Sequence, residues 1–258
     1  MLFPIGDDNR KIQGPAWVSM TLLAANIAVF VFLQGCGANE TFTYGYSVIP
    51  YEIVTGQDLV QPQTVPAGGG EYAIIPQAPG PFPIFLTILT AMFMHGGLGH
   101  IGGNMLYLWI FGDNVEHRFG ALPFLALYLA CGVAATIAQI LLDPTSVIPN
   151  LGASGAISGV LGAYMVLFPR NKVHALFFYT VVSVPAVLAI GLWIAMQLIS
   201  GWGSIVNQSA VGGVAYGAHI GGFVAGVLLA LVMRGFIREE PDNPFQKYAV
   251  YDRSRRLW

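Results

Sequence analysis

Three short segments of this sequence carry side chains that could do chemistry. Ser154 sits in "LGASGAISG" (151–159), His219 in "GAHIGGFVAG" (217–226), and His95, His100 and Asn104 in "HGGLGHIGGN" (95–104). A serine hydroxyl is a weak nucleophile unless a base within hydrogen-bond reach takes its proton. A neutral histidine can do that near pH 7. Acyl transfer also needs donors aimed at the oxyanion that develops in the transition state. His100 and Asn104, four apart on one helix face, are candidates, as is the backbone N–H of Ser154. Gly152 and Gly155 flank the serine and leave backbone open to a substrate.

Each residue also has a plainer reading. Ser154, Ser158 and Gly162 recur every four positions, with Gly155 and Gly159 alongside, as on a small-residue helix-packing face. Gly222 and Gly226 form a G-x-x-x-G pattern beneath His219. The motif around Ser154 is not the G-x-S-x-G elbow of soluble hydrolases, because Ala156 stands at the last glycine position. A metal site is the rival for the histidines. The five-residue spacing of His95 and His100 misaligns them on a helix, and no carboxylate or cysteine lies near, so no metal is expected. His117 and His174 read as solvated or headgroup residues at the inner side.

The elements that would position these groups are apolar. Of 258 residues, 55% are hydrophobic and 9% charged, against about 25% charged in average globular chains. With a mean hydropathy of +0.64, this predicts a multi-pass integral membrane protein, an all-α bundle of helices. A net charge of −2 gives no basic field for nucleic acid. Cys36 and Cys131 form neither a metal-type pair nor an expected disulfide. Leu33-Gln34-Gly35-Cys36 resembles a lipoprotein processing site. The run before it, Trp17 to Leu33, exceeds a signal-peptide core, and a retained signal anchor is the better reading.

Six runs approach spanning length: 16–35, 97–113, 122–142, 153–169, 184–203 and 217–235. Pro185 interrupts the fifth, and Val173 to Val184 reads as a stretch along the interface. With six spans, all eleven Lys and Arg residues fall on one side: Arg10, Lys11, Arg118, Arg170, Lys172, Arg234, Arg238, Lys247, Arg253, Arg255 and Arg256. Glu40, Glu52, Asp58, Glu71 and Asp143 fall on the other. Lys/Arg excess marks the cytoplasmic side, so both termini are predicted to be cytoplasmic. The chain divides into a short N-terminal segment (1–15), a membrane domain (16–235) and a solvated tail (236–258). A long outer loop, about 36–84, is rich in proline and glycine, which argues against long regular elements. Its apolar end, Phe85 to Met94, reads as dipping into the outer interface. Spans two, four and six all start outside, which puts the three chemical segments at one level.

At this point the sequence resembles the rhomboid family of intramembrane serine proteases. "HGGLGHIGGN", "GASG" and "AHIGG" match in order and on the expected spans, and "FGDNVEHRFG" (111–120) looks family-like through Glu116 and Gly120. The resemblance implies a six-helix fold and a catalytic Ser154–His219 dyad. It implies an oxyanion site with His100 and Asn104, and His95 in support. It also implies hydrolysis of transmembrane or membrane-proximal protein substrates from the extracytoplasmic side, without cofactor or metal. Two features depart from the family pattern. Ser158 stands where many relatives carry an aromatic packed on the base, and the first loop lacks the tryptophan–arginine pair of some relatives. The rival functions are a rhomboid-like pseudoenzyme that binds membrane proteins, which should lack the serine or histidine, and a transporter, which should show repeat symmetry and paired intramembrane charges. Chain size points to a bacterial inner membrane. Oligomeric state is not legible.

Overall fold

The computed structural model describes residues 3–9, 12, 14–68, 70–207 and 214–236, without the side chains of 202–207. Arg10, Lys11, Arg238, Lys247, Arg253, Arg255, Arg256 and the tail from 237 lie outside the described residues.

The chain opens with strand β1 (Phe3–Asp7) and helix α1 (Trp17–Ala28), which continues as a π-turn through Leu33. Short helices α2 (Glu40–Tyr46) and α3 (Pro50–Thr55) follow. Asn39 caps α2 by accepting from the Phe42 N–H at 3.2 Å, and Pro50 pre-sets the first turn of α3. Strands β2 (Gln63–Gly68) and β3 (Glu71–Ile75) form an antiparallel hairpin. Helix α4 (Thr87–Thr90) lies within a helical segment from Ile84 to Phe93. Long helices α5 (Leu98–Phe119) and α6 (Ala121–Leu142) meet at Gly120, whose φ of 85° suits glycine. Then come α7 (Ser154–Leu167), strands β4 (Lys172–Phe177) and β5 (Thr180–Pro185), α8 (Ala186–Asn207) and α9 (Tyr216–Met233).

The molecule is mostly helical, but the all-α expectation needs correcting. Besides the β2–β3 hairpin, β1, β4 and β5 form a three-stranded antiparallel sheet in that order. Val173 to Val184, expected as a stretch along the interface, forms the β4–β5 hairpin. Its sequence alternates, with Val173 and Ala175 buried and Lys172 and Leu176 exposed, and β-branched residues fill β5. The N-terminal segment supplies the third strand, pairing Phe3 with Leu176 and Asp7 with Val173. His117 lies in the last turn of α5, with Nδ1 2.8 Å from the Asp113 carbonyl. His174 Nδ1 lies 2.7 Å from Ser183 Oγ across the hairpin.

The six longer helices alternate in direction. At one end of α1, the Glu116 carboxylate of α5 accepts from the N–H groups of Val18 and Ser19 at 2.9 and 2.7 Å. A carboxylate suits the orphan donors of a helix start. At the other end, Gln34 donates to the His95 carbonyl and accepts its N–H at 3.0 and 2.9 Å. Helices α5, α7 and α9 thus run together, against α1, α6 and α8. Arg118 lies in the last turn of α5, and Arg170 and Arg234 follow the ends of α7 and α9. By length and apolarity alone, α6 and the segment Tyr216–Phe236 could each cross a membrane. So could the pair Ile84–Phe93 and Leu98–Phe119, bent by 77°, if it counts as one span. The apolar helices Trp17–Leu33, Ser154–Leu167 and Ala186–Gly201 are shorter. Leu122, Ile137, Leu141, Leu188, Leu228 and Val232 are exposed on the outer surface, as expected of a bundle facing hydrocarbon.

The centre is a triple packing of α6, α7 and α9. Every residue of α7 from Gly155 to Tyr164 is buried. A Cβ added at Gly226 would lie 1.9 Å from the Gly159 carbonyl oxygen, and one at Gly222 would lie 2.0 Å from that of Gly155. On the other side of α7, a Cβ at Gly155 would meet Ala135 of α6 at 2.6 Å. Backbones this close form only where side chains are absent.

Two predictions follow from this packing. Gly226→Ala should force α7 and α9 apart and cost about 1–3 kcal/mol or more, as overpacking does. Thermal unfolding in detergent checks this, and a variant as stable as the parent would mean the helices are not in such contact. The second concerns Asp7, whose Oδ2 accepts from Tyr164 and from Asn114 Nδ2. Burial raises its carboxyl from the ordinary 3.8 to about 7, against the lowering effect of the Tyr164 hydrogen bond, with Asp113 and Asp8 adding to the rise. A carboxyl raised in the folded state binds more protons there than when unfolded, so its stabilising effect is lost as pH rises. Docking of β1 should weaken between about pH 4 and pH 7 and then level off. Amide exchange at Val173 should follow that curve, and Asp7→Asn should flatten it.

Candidate active site

The site lies where α5, α7 and α9 begin. Gly152, with φ of 130°, makes the turn into α7, and its N–H donates to the Ala91 carbonyl at 2.8 Å. Ser154 is then the first residue of α7. No side chain caps this helix start, so its first N–H groups and the positive end of the helix dipole remain available to an anion. On α9, Gln139 of α6 accepts from the Ala218 N–H at 3.2 Å, which fixes the start of the helix that carries His219.

Ser154 Oγ and His219 Nε2 are 2.8 Å apart. This contact depends on the glycine packing below it, since Gly155 and Gly159 on one helix face Gly222 and Gly226 on the other. The other imidazole nitrogen, Nδ1, lies 2.9 Å from Gln197 Oε1 of α8. Trp193, one turn earlier on α8, places its ring centroid 6.0 Å from that of His219 at an interplanar angle of 35°. Ser158 does not approach the base. Its hydroxyl turns back to the Ser154 carbonyl at 2.6 Å. The partners of His219 come instead from Trp193 and Gln197, which the sequence reading did not single out. The available signal was a glutamine in an apolar run, one turn after a tryptophan.

The third segment comes to the same place. The Gly96 N–H donates to His100 Nδ1 at 3.2 Å, which leaves Nε2 as the protonated nitrogen and a donor. His100 Nε2 would lie 2.8 Å from a Cβ on Gly152, and Ser154 Oγ 3.6 Å from the same point. Both groups therefore flank the Gly152 turn, and a side chain there would fill the space between them. Asn104 is buried, and its Nδ2 has no hydrogen-bond partner. His95 is fully buried and holds its ring edge-on to His100, with centroids 5.1 Å apart.

A cavity of about 40 Å³ opens beside Gly152 and Ser154, bordered by Met92, Thr136 and Gln139. A water molecule needs roughly 10–15 Å³ on this measure, so water has room next to the hydroxyl. Among the described residues, no group of three or more His, Cys, Asp or Glu side chains could hold a metal ion.

Comparison with known proteins shows the family. The model of the Rhomboid domain matches residues 84–236. The chain is 35% identical over 147 residues to "Rhomboid protein 1, mitochondrial" of Saccharomyces cerevisiae, covering 55% of this chain and 40% of that protein. It is 34% identical over 149 residues to "Rhomboid protease GluP" of Bacillus subtilis, covering 57% and 27%. It is 26% identical over 230 residues to "RHOMBOID-like protein 5" of Arabidopsis thaliana, covering 84% and 68%. The chain thus spans less than half the length of the yeast and Bacillus proteins. The matched region contains all three chemical segments and the six residues Ser154, His219, His95, His100, Asn104 and Gln197, and the chain is a membrane protein of the rhomboid family.

Proposed function

We propose that this protein is an intramembrane serine endopeptidase that cleaves transmembrane or membrane-proximal protein substrates with a Ser154–His219 dyad. The observation that carries the reading is the 2.8 Å contact between Ser154 Oγ and His219 Nε2. His219 takes the hydroxyl proton as Oγ attacks the scissile carbonyl, then returns it to the leaving amine. A water from the neighbouring cavity completes hydrolysis by the same base. The His100 Nε2–H, the Asn104 amide and the start of α7 stabilise the oxyanion. Gly152 and Gly155 keep that space open, and His95 supports His100. The name of the Bacillus relative, a rhomboid protease, agrees with this reading.

The six alternating helices serve as six spans in the same reading. Arg118, Arg170 and Arg234 mark the cytoplasmic end, and the site opens to the opposite side. Ser154–Leu167 is short for a span, at about 21 Å for its 14 residues. Its start therefore sits below the outer surface and is reached through the water-sized cavity. The similar proteins include a bacterial one, a mitochondrial one and a plant one, and the bacterial relative supports the proposed bacterial inner membrane.

A fluorophosphonate should label the purified protein at Ser154, and Ser154→Ala and His219→Ala should both abolish labelling and cleavage. Their losses should not add, because the two act as a unit. Turnover retained in Ser154→Ala would sink the dyad, and a folded parent that neither labels nor cleaves would favour a binding role. Asn104→Ala should lower kcat on a model transmembrane substrate by roughly 10²–10³. An unchanged kcat in Asn104→Ala, His100→Ala and the double variant would remove the oxyanion assignment.

A further inference from the structure

The base has a polar partner on its far side. Gln197 lies in the middle of α8, an apolar helix where an amide is costly unless it is bonded. Its Oε1 is 2.9 Å from His219 Nδ1, and His219 Nε2 is 2.8 Å from Ser154 Oγ. A carbonyl oxygen only accepts, so Nδ1 must carry the ring proton, and Nε2 then offers a lone pair to the serine. Were Nε2 protonated instead, the Gln197 oxygen would face a bare nitrogen, acceptor against acceptor, and Ser154 would accept from the ring rather than donate to it. The three side chains form a chain Gln197–His219–Ser154 across α8, α9 and α7.

We propose that Gln197 is a positioning residue for the dyad, holding His219 in the tautomer and orientation that let it accept the Ser154 proton. The inference rests on the protease reading given above. The role resembles that of the carboxylate in a serine triad, which fixes tautomer and ring orientation, with one difference. A neutral amide orients the ring without adding a charge to stabilise the imidazolium. Trp193, at 6.0 Å and one turn away on α8, supports the same ring from the side. Packing by Trp193 restrains the ring plane, whereas only Gln197 selects between the two nitrogens. The groups that face His219 are Ser154 from α7, Gln197 and Trp193 from α8 and, at electrostatic range, the His100 imidazole from α5. Gln139 of α6 bonds the neighbouring Ala218 N–H.

The test follows the second-order rate of fluorophosphonate labelling at Ser154 from pH 5 to pH 9. In that reaction Oγ bonds to phosphorus, fluoride leaves and His219 takes the hydroxyl proton. Gln197→Leu should slow labelling by roughly 10–100-fold, as removal of the partner that orients a metal-bound histidine does. Gln197→Glu keeps the acceptor and adds a charge that favours the imidazolium. It should label within about tenfold of the parent, and its rate should fall off on the acid side at a higher pH. A side chain at 197 that did not reach the imidazole would leave that fall-off in place. Nitrogen-15 spectra of the unmodified protein, with the His219 signals assigned by difference from His219→Ala, should show the proton on Nδ1. This readout does not depend on any Gln197 variant folding. Parent-like rate and pH profile in Gln197→Leu, or a proton on Nε2 in the spectra, would overturn the inference while leaving the dyad standing. No labelling of Ser154 in the folded parent would overturn the protease reading and this inference with it.

Discussion

The structure depends on one constraint, that α7 and α9 touch backbone to backbone. Gly155 and Gly159 face Gly222 and Gly226 with no room for a methyl group. Lipid supplies no hydrophobic force between helices, so such contacts must come from close van der Waals packing. Once the two helices are in register, their first turns are level, and the residues at those turns have little choice of neighbour. The serine and the histidine meet because the helices below them cannot separate. The outer features, including α8, the first loop and the strand sheet, attach to this pair and to α6 without being able to replace it.

Legibility in the sequence followed the range of the physics. Ser154, His219, His100 and Asn104 could be placed at one level because helix direction follows from counting apolar runs and charges, and side-chain facing follows from a spacing of four. Gly159, Gly222 and Gly226 were readable as a packing face for the same reason. Gln197 and Trp193 were not, because their role depends on how α8 rotates and leans against α9, and no local pattern encodes that. Ser158 was read as part of the packing face and as a missing aromatic. Its hydroxyl satisfies itself on the Ser154 carbonyl one turn back, and the aromatic contact moves to another helix.

The sheet shows the other limit. Val173 to Val184 alternates weakly and contains enough apolar residues to read as membrane-associated. Its strand character becomes clear only when β1, some 170 residues earlier, pairs with β4. The polar side chains at that end, Asp7, Asn9, Asp113, Asn114 and Tyr164, then bond one another. None of them has a local sequence signature, because each partner lies on a different element.

The two ties between α1 and α5 bear on what counts as the smallest self-sufficient piece of this chain. The Rhomboid domain model covers residues 84–236, and every group of the proposed chemistry lies inside that stretch. Yet Glu116 and the backbone of His95, both inside it, find their partners at Val18, Ser19 and Gln34, outside it. Cutting the chain at the edge of that match would strand a buried carboxylate at one end of α5 and two buried backbone groups at the other, each costly without a partner. The first helix therefore acts as a brace for the segment that carries His95 and His100. An autonomous unit has to begin at or before Trp17, well ahead of residue 84, where the Rhomboid domain match begins.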